Sequence, residues 1–153
     1  MSKVLPMRKR FLLILAASLA PICAAQQTSP SHSSNPGYQA LVKDAKTRVK
    51  EMDVEQLKKL QSSGEKFLLI DVREESEWTA GHASGAMHIS KGVIERDIES
   101  KAPQKDAKLV LYCAAGSRSA LAADSLMKMG YSNVFSLAGG INAYKSAGLP
   151  TEK

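Results

Sequence analysis

Cysteine, histidine and aromatic side chains are all scarce in this chain of 153 residues. Two cysteines, Cys23 and Cys113, are too few for a disulfide-stapled scaffold. The three histidines, His32, His82 and His88, are dispersed and fall into no metal-ligand spacing, so no metal and no cofactor is expected. Aromatics make up only 5% of the residues, which leaves little for a base-stacking platform. No uninterrupted apolar run reaches the ~20 residues that a membrane-spanning helix needs. Internal repeats are absent as well, which excludes solenoid architectures.

Acidic residues are missing from positions 1–25, and that local absence explains the charge of the whole. Lys3, Arg8, Lys9 and Arg10 lie there; without them 17 basic residues face 15 acidic ones, a net of +2 in place of +6. No basic stripe with interleaved aromatics remains, so nucleic acid is not an expected partner. The basic stretch Met7–Arg10, the apolar run Phe11–Ala20 and the small residues Cys23-Ala24-Ala25 form the three regions of a secretory signal. Cleavage is expected after Ala25, giving an exported, periplasmic protein without stable membrane association. An uncleaved anchor fits less well, because Pro21 interrupts an already short run. Lipid attachment at Cys23 also fits less well, because Ile22 stands where a small residue is wanted. Loss of Cys23 would leave Cys113 as the lone thiol of the mature chain.

Gln26–Gly37 has no apolar residue and is expected to be a flexible leader, in which His32 has no assigned role. From Tyr38 the spacing of Tyr38, Leu41, Val42 and Ala45 predicts a helix, and residues 38–49 form an N-terminal extension that either packs on the domain or docks a partner. The domain proper is expected over residues 50–153. A short strand is placed at Val49–Met52. Asp53 with Gln56 makes a capping box for a helix whose apolar stripe is Val54, Leu57 and Leu60, ended by Gly64. Phe67–Val72, Lys108–Cys113 and Asn133–Leu137 read as strands buried on both faces, and Ala86–Ile89 as a weaker one. Gly116–Met129 predicts a helix with Leu121, Ala122, Leu126 and Met129 on one side. Ile141–Ala147 predicts a last short helix closed by Gly148 and Pro150. Strands alternating with helices imply an α/β fold with a mostly parallel sheet covered on both faces.

Cys113 is expected as the last residue of a buried strand, where ligands bind in open parallel sheets. Ala114, Ala115, Gly116 and Ser117 let the backbone curl into the following helix, turning several N–H groups toward one point. Sulfur at that point is favoured as thiolate, which makes it a nucleophile. Arg118 adds a permanent charge able to hold an oxyanion bidentately. The alternative is a buried structural thiol.

The segment Cys113-Ala114-Ala115-Gly116-Ser117-Arg118-Ser119 resembles the active-site loop of single-domain rhodaneses. Asp71-Val72-Arg73-Glu74, Gly81-His82 through Gly85-Ala86, and Leu137 to Gly148 with its pair Gly139-Gly140 match further motifs in the family's order. The resemblance spans about Lys50 to Pro150 and implies a five-stranded parallel sheet with helices on both faces. It also implies a two-step sulfur transfer. The Cys113 thiolate takes the outer sulfur of a small donor such as thiosulfate, and an external thiol or cyanide then removes it. The N–H groups from Ala114 to Ser119 would stabilise the persulfide, with Arg118 steering the donor's sulfonate. Arg73 is a candidate for the pocket rim, although an ion pair with Asp71 explains it as well. His82 is either a proton donor or a hydrogen-bonded loop histidine. Glu95 and Arg96 are expected on a solvated face. Phosphatases and arsenate reductases resembling rhodaneses use the longer Cys-x5-Arg loop, usually with His before Cys. The spacing here is Cys-x4-Arg after Tyr112, which favours sulfur as cargo. A sulfur carrier with negligible turnover is the alternative function.

Overall fold

The computed structural model describes residues 35–153. The expected signal, its cleavage after Ala25, Cys23, and the leader through Ser34 with His32 lie outside the described residues, whereas Pro36 and Gly37, expected in the leader, belong to a helix.

Among the described residues thirteen elements follow in order. They are α1 (Pro36–Lys46), β1 (Lys50–Met52), α2 (Val54–Ser62), β2 (Leu68–Asp71), α3 (Glu75–Thr79), β3 (His82–Ala83) and β4 (Met87–His88). Then come α4 (Ile94–Lys101), β5 (Leu109–Tyr112), α5 (Ser117–Lys128), β6 (Val134–Leu137), α6 (Gly140–Ser146) and β7 (Thr151–Glu152). Five strands form one sheet in the order β1-β6-β5-β2-β4, and every neighbouring pair is parallel. A separate antiparallel ladder joins His82 to Glu152 and Ala83 to Thr151.

Side-chain alternation along the central strand divides the core into two layers. Leu109 and Leu111 of β5 pack with Ile94 and Ile98 of α4 and with Ala122, Ala123 and Leu126 of α5. Val110 and Tyr112 pack on the other side with Leu57 and Leu60 of α2 and Ile141 and Tyr144 of α6. Helices therefore cover both faces, as the uninterrupted apolar strands require. Leu109, Leu111 and Ile70 are wholly buried, and each such side chain contributes roughly 1.5–3 kcal/mol. Leu121 is half-buried and belongs to neither layer, unlike its expected place in the stripe of α5.

The capping box at Asp53 is present in full: its carboxylate accepts from the Gln56 N–H at 2.7 Å, and the Gln56 side chain accepts from the Asp53 N–H at 2.9 Å. The first helix starts at Pro36 rather than Tyr38, since proline suits the first turn, where no N–H is needed. It packs against α5. Of its expected stripe Ala45 is buried and Leu41 is 62% exposed, because a helix at the edge of the domain needs only a narrow contact face.

Charge fixes the helix there. Asp124 of α5 accepts from Arg48 Nε at 2.8 Å and from Lys128 Nζ at 2.7 Å. The bonds from Arg48 and then Lys128 outweigh burial and pull its carboxyl down to about 2, from an ordinary value of about 3.9. A depressed carboxylate stabilises the fold above its unfolded value and stops doing so as pH falls through its folded one. Asp124→Asn is therefore expected to melt below the parent near neutral pH. That gap should close between about pH 4 and about pH 2, as read by thermal unfolding across pH. A gap unchanged at the acid end would assign the effect to geometry instead of charge.

Candidate active site

Strand order changes direction around β2. The chain passes outward from β2 to β4, then returns to place β5 and β6 on the other side of β2. The carboxyl ends of β2 and β5 thus border a crevice of the kind in which open parallel sheets bind ligands. Asp71 and Tyr112 end these strands side by side. Cys113 follows directly, one residue beyond the strand instead of its last member.

The loop after Cys113 closes around the sulfur. Gly116, with φ +96°, caps α5 in a conformation that disfavours other residues. Its N–H donates to Cys113 Sγ at 3.2 Å, and the Ser119 hydroxyl approaches the same sulfur at 3.7 Å. Cys113 is only 2% exposed. Burial pushes its thiol up, but the N–H and hydroxyl of Ser119 and the N–H groups of Ala115 and Gly116 outweigh it. The net result is a thiol held below its ordinary value. Ala115 is exposed, while Ala114 and Ser117 are half-buried, so small side chains flank the sulfur.

The other side of the loop is held by α6. Ile141 N–H donates to the Cys113 carbonyl at 2.8 Å and Asn142 N–H to the Ala114 carbonyl at 3.2 Å. The loop carbonyls are thereby turned away from the sulfur. This approach leaves no room for a side chain at Gly140: a Cβ would collide with the Cys113 carbonyl oxygen and come within 2.8 Å of Ala114. Gly140 also has φ +54°. Gly140→Ala is expected to cost about 3 kcal/mol, combining about 1–2 for the left-handed backbone with overpacking of similar size. Urea unfolding measures it, and the thiol should lose reactivity as the loop shifts.

Arg118 differs from expectation. Its Nη1 and Nη2 donate to Glu77 of α3 at 2.6 and 2.8 Å, a bidentate pair that is partly buried. The Glu77 bond raises Arg118 further, burial opposing, and the Arg118 bond holds Glu77 below the usual carboxylate range. The guanidinium remains the cation beside Cys113, but the fork expected to hold a sulfonate is occupied by a carboxylate. Sequence reasoning missed Glu77; the acidic run Glu74-Glu75-Ser76-Glu77 after Arg73 was the signal available.

Arg73 is paired with Asp71. Its Nε donates to both Asp71 oxygens, at 3.0 and 2.9 Å, and its Nη2 donates to Asp71 at 2.7 Å and to the Gly81 carbonyl at 2.9 Å. Its side chain is 6% exposed and that of Asp71 0%. Such a residue joins two loops, which is the ion-pair arrangement that the sequence offered beside the pocket rim. His82 is likewise buried, stacked on Trp78 at 3.3 Å between ring centroids, with Nδ1 3.1 Å from the Trp78 carbonyl. That geometry matches the hydrogen-bonded loop histidine. Glu95 and Arg96 are exposed, as expected.

A cavity of about 660 Å³ lies beside Arg118, lined by Asn35, Tyr38, Glu74, Glu77 and Arg118. The N-terminal extension therefore contributes Tyr38 to the site's surroundings. Another cavity, of about 570 Å³, lies at the amino ends of the strands, near Phe67, Lys108 and Asn133, and has no cysteine, serine or histidine in its lining.

Comparison with known proteins agrees with this geometry. A "Sulfurtransferase" from Allochromatium vinosum is 36% identical over 102 residues, covering 67% of this chain and 94% of that protein. A probable adenylyltransferase/sulfurtransferase, MoeZ of Mycobacterium tuberculosis, is 45% identical over 83 residues, or 54% of this chain. The match spans only 21% of MoeZ's own length. Among solved structures, a protein of unknown function from Rhodopseudomonas palustris, described as a possible tyrosine phosphatase, superposes with a TM-score of 0.69 at 31% identity. It covers 76% of this chain and 94% of its own. Residues 53–147 match the family described as the rhodanese-like domain, and with the parallel sheet and the Cys113 loop in place, the chain belongs to that family.

Proposed function

We propose that this domain is a rhodanese-type sulfurtransferase that carries a sulfane sulfur as a persulfide on Cys113. The observation that carries the reading is the convergence of loop N–H groups on Cys113 Sγ, in a ring closed by only four residues before Arg118. In the first step the thiolate attacks the outer sulfur of a donor such as thiosulfate. The donor's S–S bond breaks, and sulfite departs with the electron pair. In the second, cyanide or an acceptor thiolate attacks the outer sulfur of Cys113–S–S⁻, and the Cys113 thiolate leaves. Such double displacement predicts ping-pong kinetics. Negative charge sits on sulfur throughout, where fixed N–H donors are most effective.

The test is thiocyanate production from thiosulfate and cyanide by the purified protein, with p-nitrophenyl phosphate hydrolysis run beside it. Thiocyanate turnover supports the reading. Phosphate release without thiocyanate would overturn it in favour of a phosphatase. A Cys113 persulfide that forms stoichiometrically but passes only to one protein would instead identify a carrier. We also propose export, with cleavage after Ala25; the amino-terminal sequence of the protein recovered from cells decides that point.

A further inference from the structure

Ser119 and Ser136 are both fully buried. Ser136 occupies β6 on the same side as Val134, which belongs to the layer containing Leu109, Leu111 and Cys113. A hydroxyl in such a place costs free energy unless it is bonded. Ser136 Oγ lies 2.8 Å from Ser119 Oγ, and Ser119 Oγ lies 3.7 Å from Cys113 Sγ.

The chain of three atoms has a direction. Each hydroxyl owns one proton. Ser119 can give its proton to the sulfur or to Ser136, but not to both. It can also turn back toward a carbonyl of its own helix, as serines in helices do. Only when Ser136 donates does the Ser119 oxygen act as acceptor there, leaving its proton for the sulfur. The burial of Ser136 within an apolar layer removes competing water that would otherwise satisfy it.

We propose that Ser136 is a positioning residue: it donates to Ser119 and so holds the Ser119 hydroxyl proton on the Cys113 sulfur. It touches neither donor nor acceptor. Its effect reaches the chemistry through Ser119, favouring the thiolate that attacks and the thiolate that leaves when the persulfide is discharged. This rests on Cys113 as the nucleophile but not on the identity of its cargo.

The test is the pH dependence of Cys113 alkylation by iodoacetamide, followed on the Cys113 peptide by mass spectrometry. Sulfur transfer is not involved, so failure here is distinguishable from failure of the sulfurtransferase reading. Ser136→Ala is expected to slow neutral-pH alkylation roughly 3- to 10-fold, the scale of one hydrogen bond, and to move the profile to higher pH. Ser119→Ala should do at least as much, and Ser119→Ala/Ser136→Ala should equal Ser119→Ala alone. Ser136→Thr, which keeps the hydroxyl, should retain the parent profile. Ser136→Cys, with similar volume and a far weaker donor, gives a second deletion should the alanine variant fail to fold. The proposal is overturned if folded Ser136→Ala or Ser136→Cys keeps the parent profile, or if the two serine effects simply add.

Discussion

Cys113→Ser is expected to abolish persulfide formation. Treated with thiosulfate, the parent protein should gain about 32 Da, one sulfur atom, on the Cys113 peptide, while the variant gains nothing. The reason is chemical, since the geometry survives. Serine fits the same space and accepts the same N–H groups, but its hydroxyl is un-ionised near neutrality and forms no persulfide. The donors that stabilise a soft thiolate then surround a group with no charge to stabilise. Thiocyanate production should fall to the rate of the uncatalysed reaction, while stability changes by less than about 1 kcal/mol. A variant that still turns over would relocate the nucleophile. One that loses the fold as well would make Cys113 a structural thiol.

Arg73→Met is expected to show the opposite pattern, a large loss of stability with little change in affinity for the donor. Asp71 is wholly buried, and Arg73 supplies its countercharge. Burial works against the Arg73 charge, but Asp71 more than restores it. Methionine leaves the buried carboxylate with neutral donors only, the residue-73 backbone N–H at 2.9 Å and the Tyr112 hydroxyl. Breaking such a pair from one side costs about 3–5 kcal/mol. Urea unfolding should register that loss. Asp71→Asn/Arg73→Met should recover part of it, because no isolated charge remains. If KM for thiosulfate rose steeply in a variant of parental stability, Arg73 would belong to the pocket rim after all.

These two outcomes separate what the sequence made legible from what it hid. The strands β2, β5 and β6 could be read because a parallel strand buried on both faces is a short, nearly unbroken apolar run. The Cys113 loop could be read because small residues at a strand end, followed by a helix, leave few other conformations. The family resemblance placed both motifs in order. Glu77 was hidden because its partner, Arg118, lies 41 positions away, and no local period records such a contact. The five-residue helix carrying it has no buried residue to mark a stripe. The β3–β7 ladder was hidden because each strand has two residues, too few for alternation to appear. Leu41 misled for a related reason: helical spacing shows which residues share a face, and it is silent on how much of that face is covered.

The grip of α6 on the Cys113 loop has a kinetic consequence. The Cys113 and Ala114 carbonyls are bonded outward to Ile141 and Asn142 N–H groups, and rotating either peptide plane would break one of these bonds. Water around an ion must reorient each time charge moves, whereas dipoles already fixed in place do not. In the proposed transfer the thiolate, the persulfide and the returning thiolate would therefore meet the same field of donors. With reorganisation so small, the turnover rate should follow the nucleophilicity of whichever acceptor arrives, rather than any opening or closing of the loop.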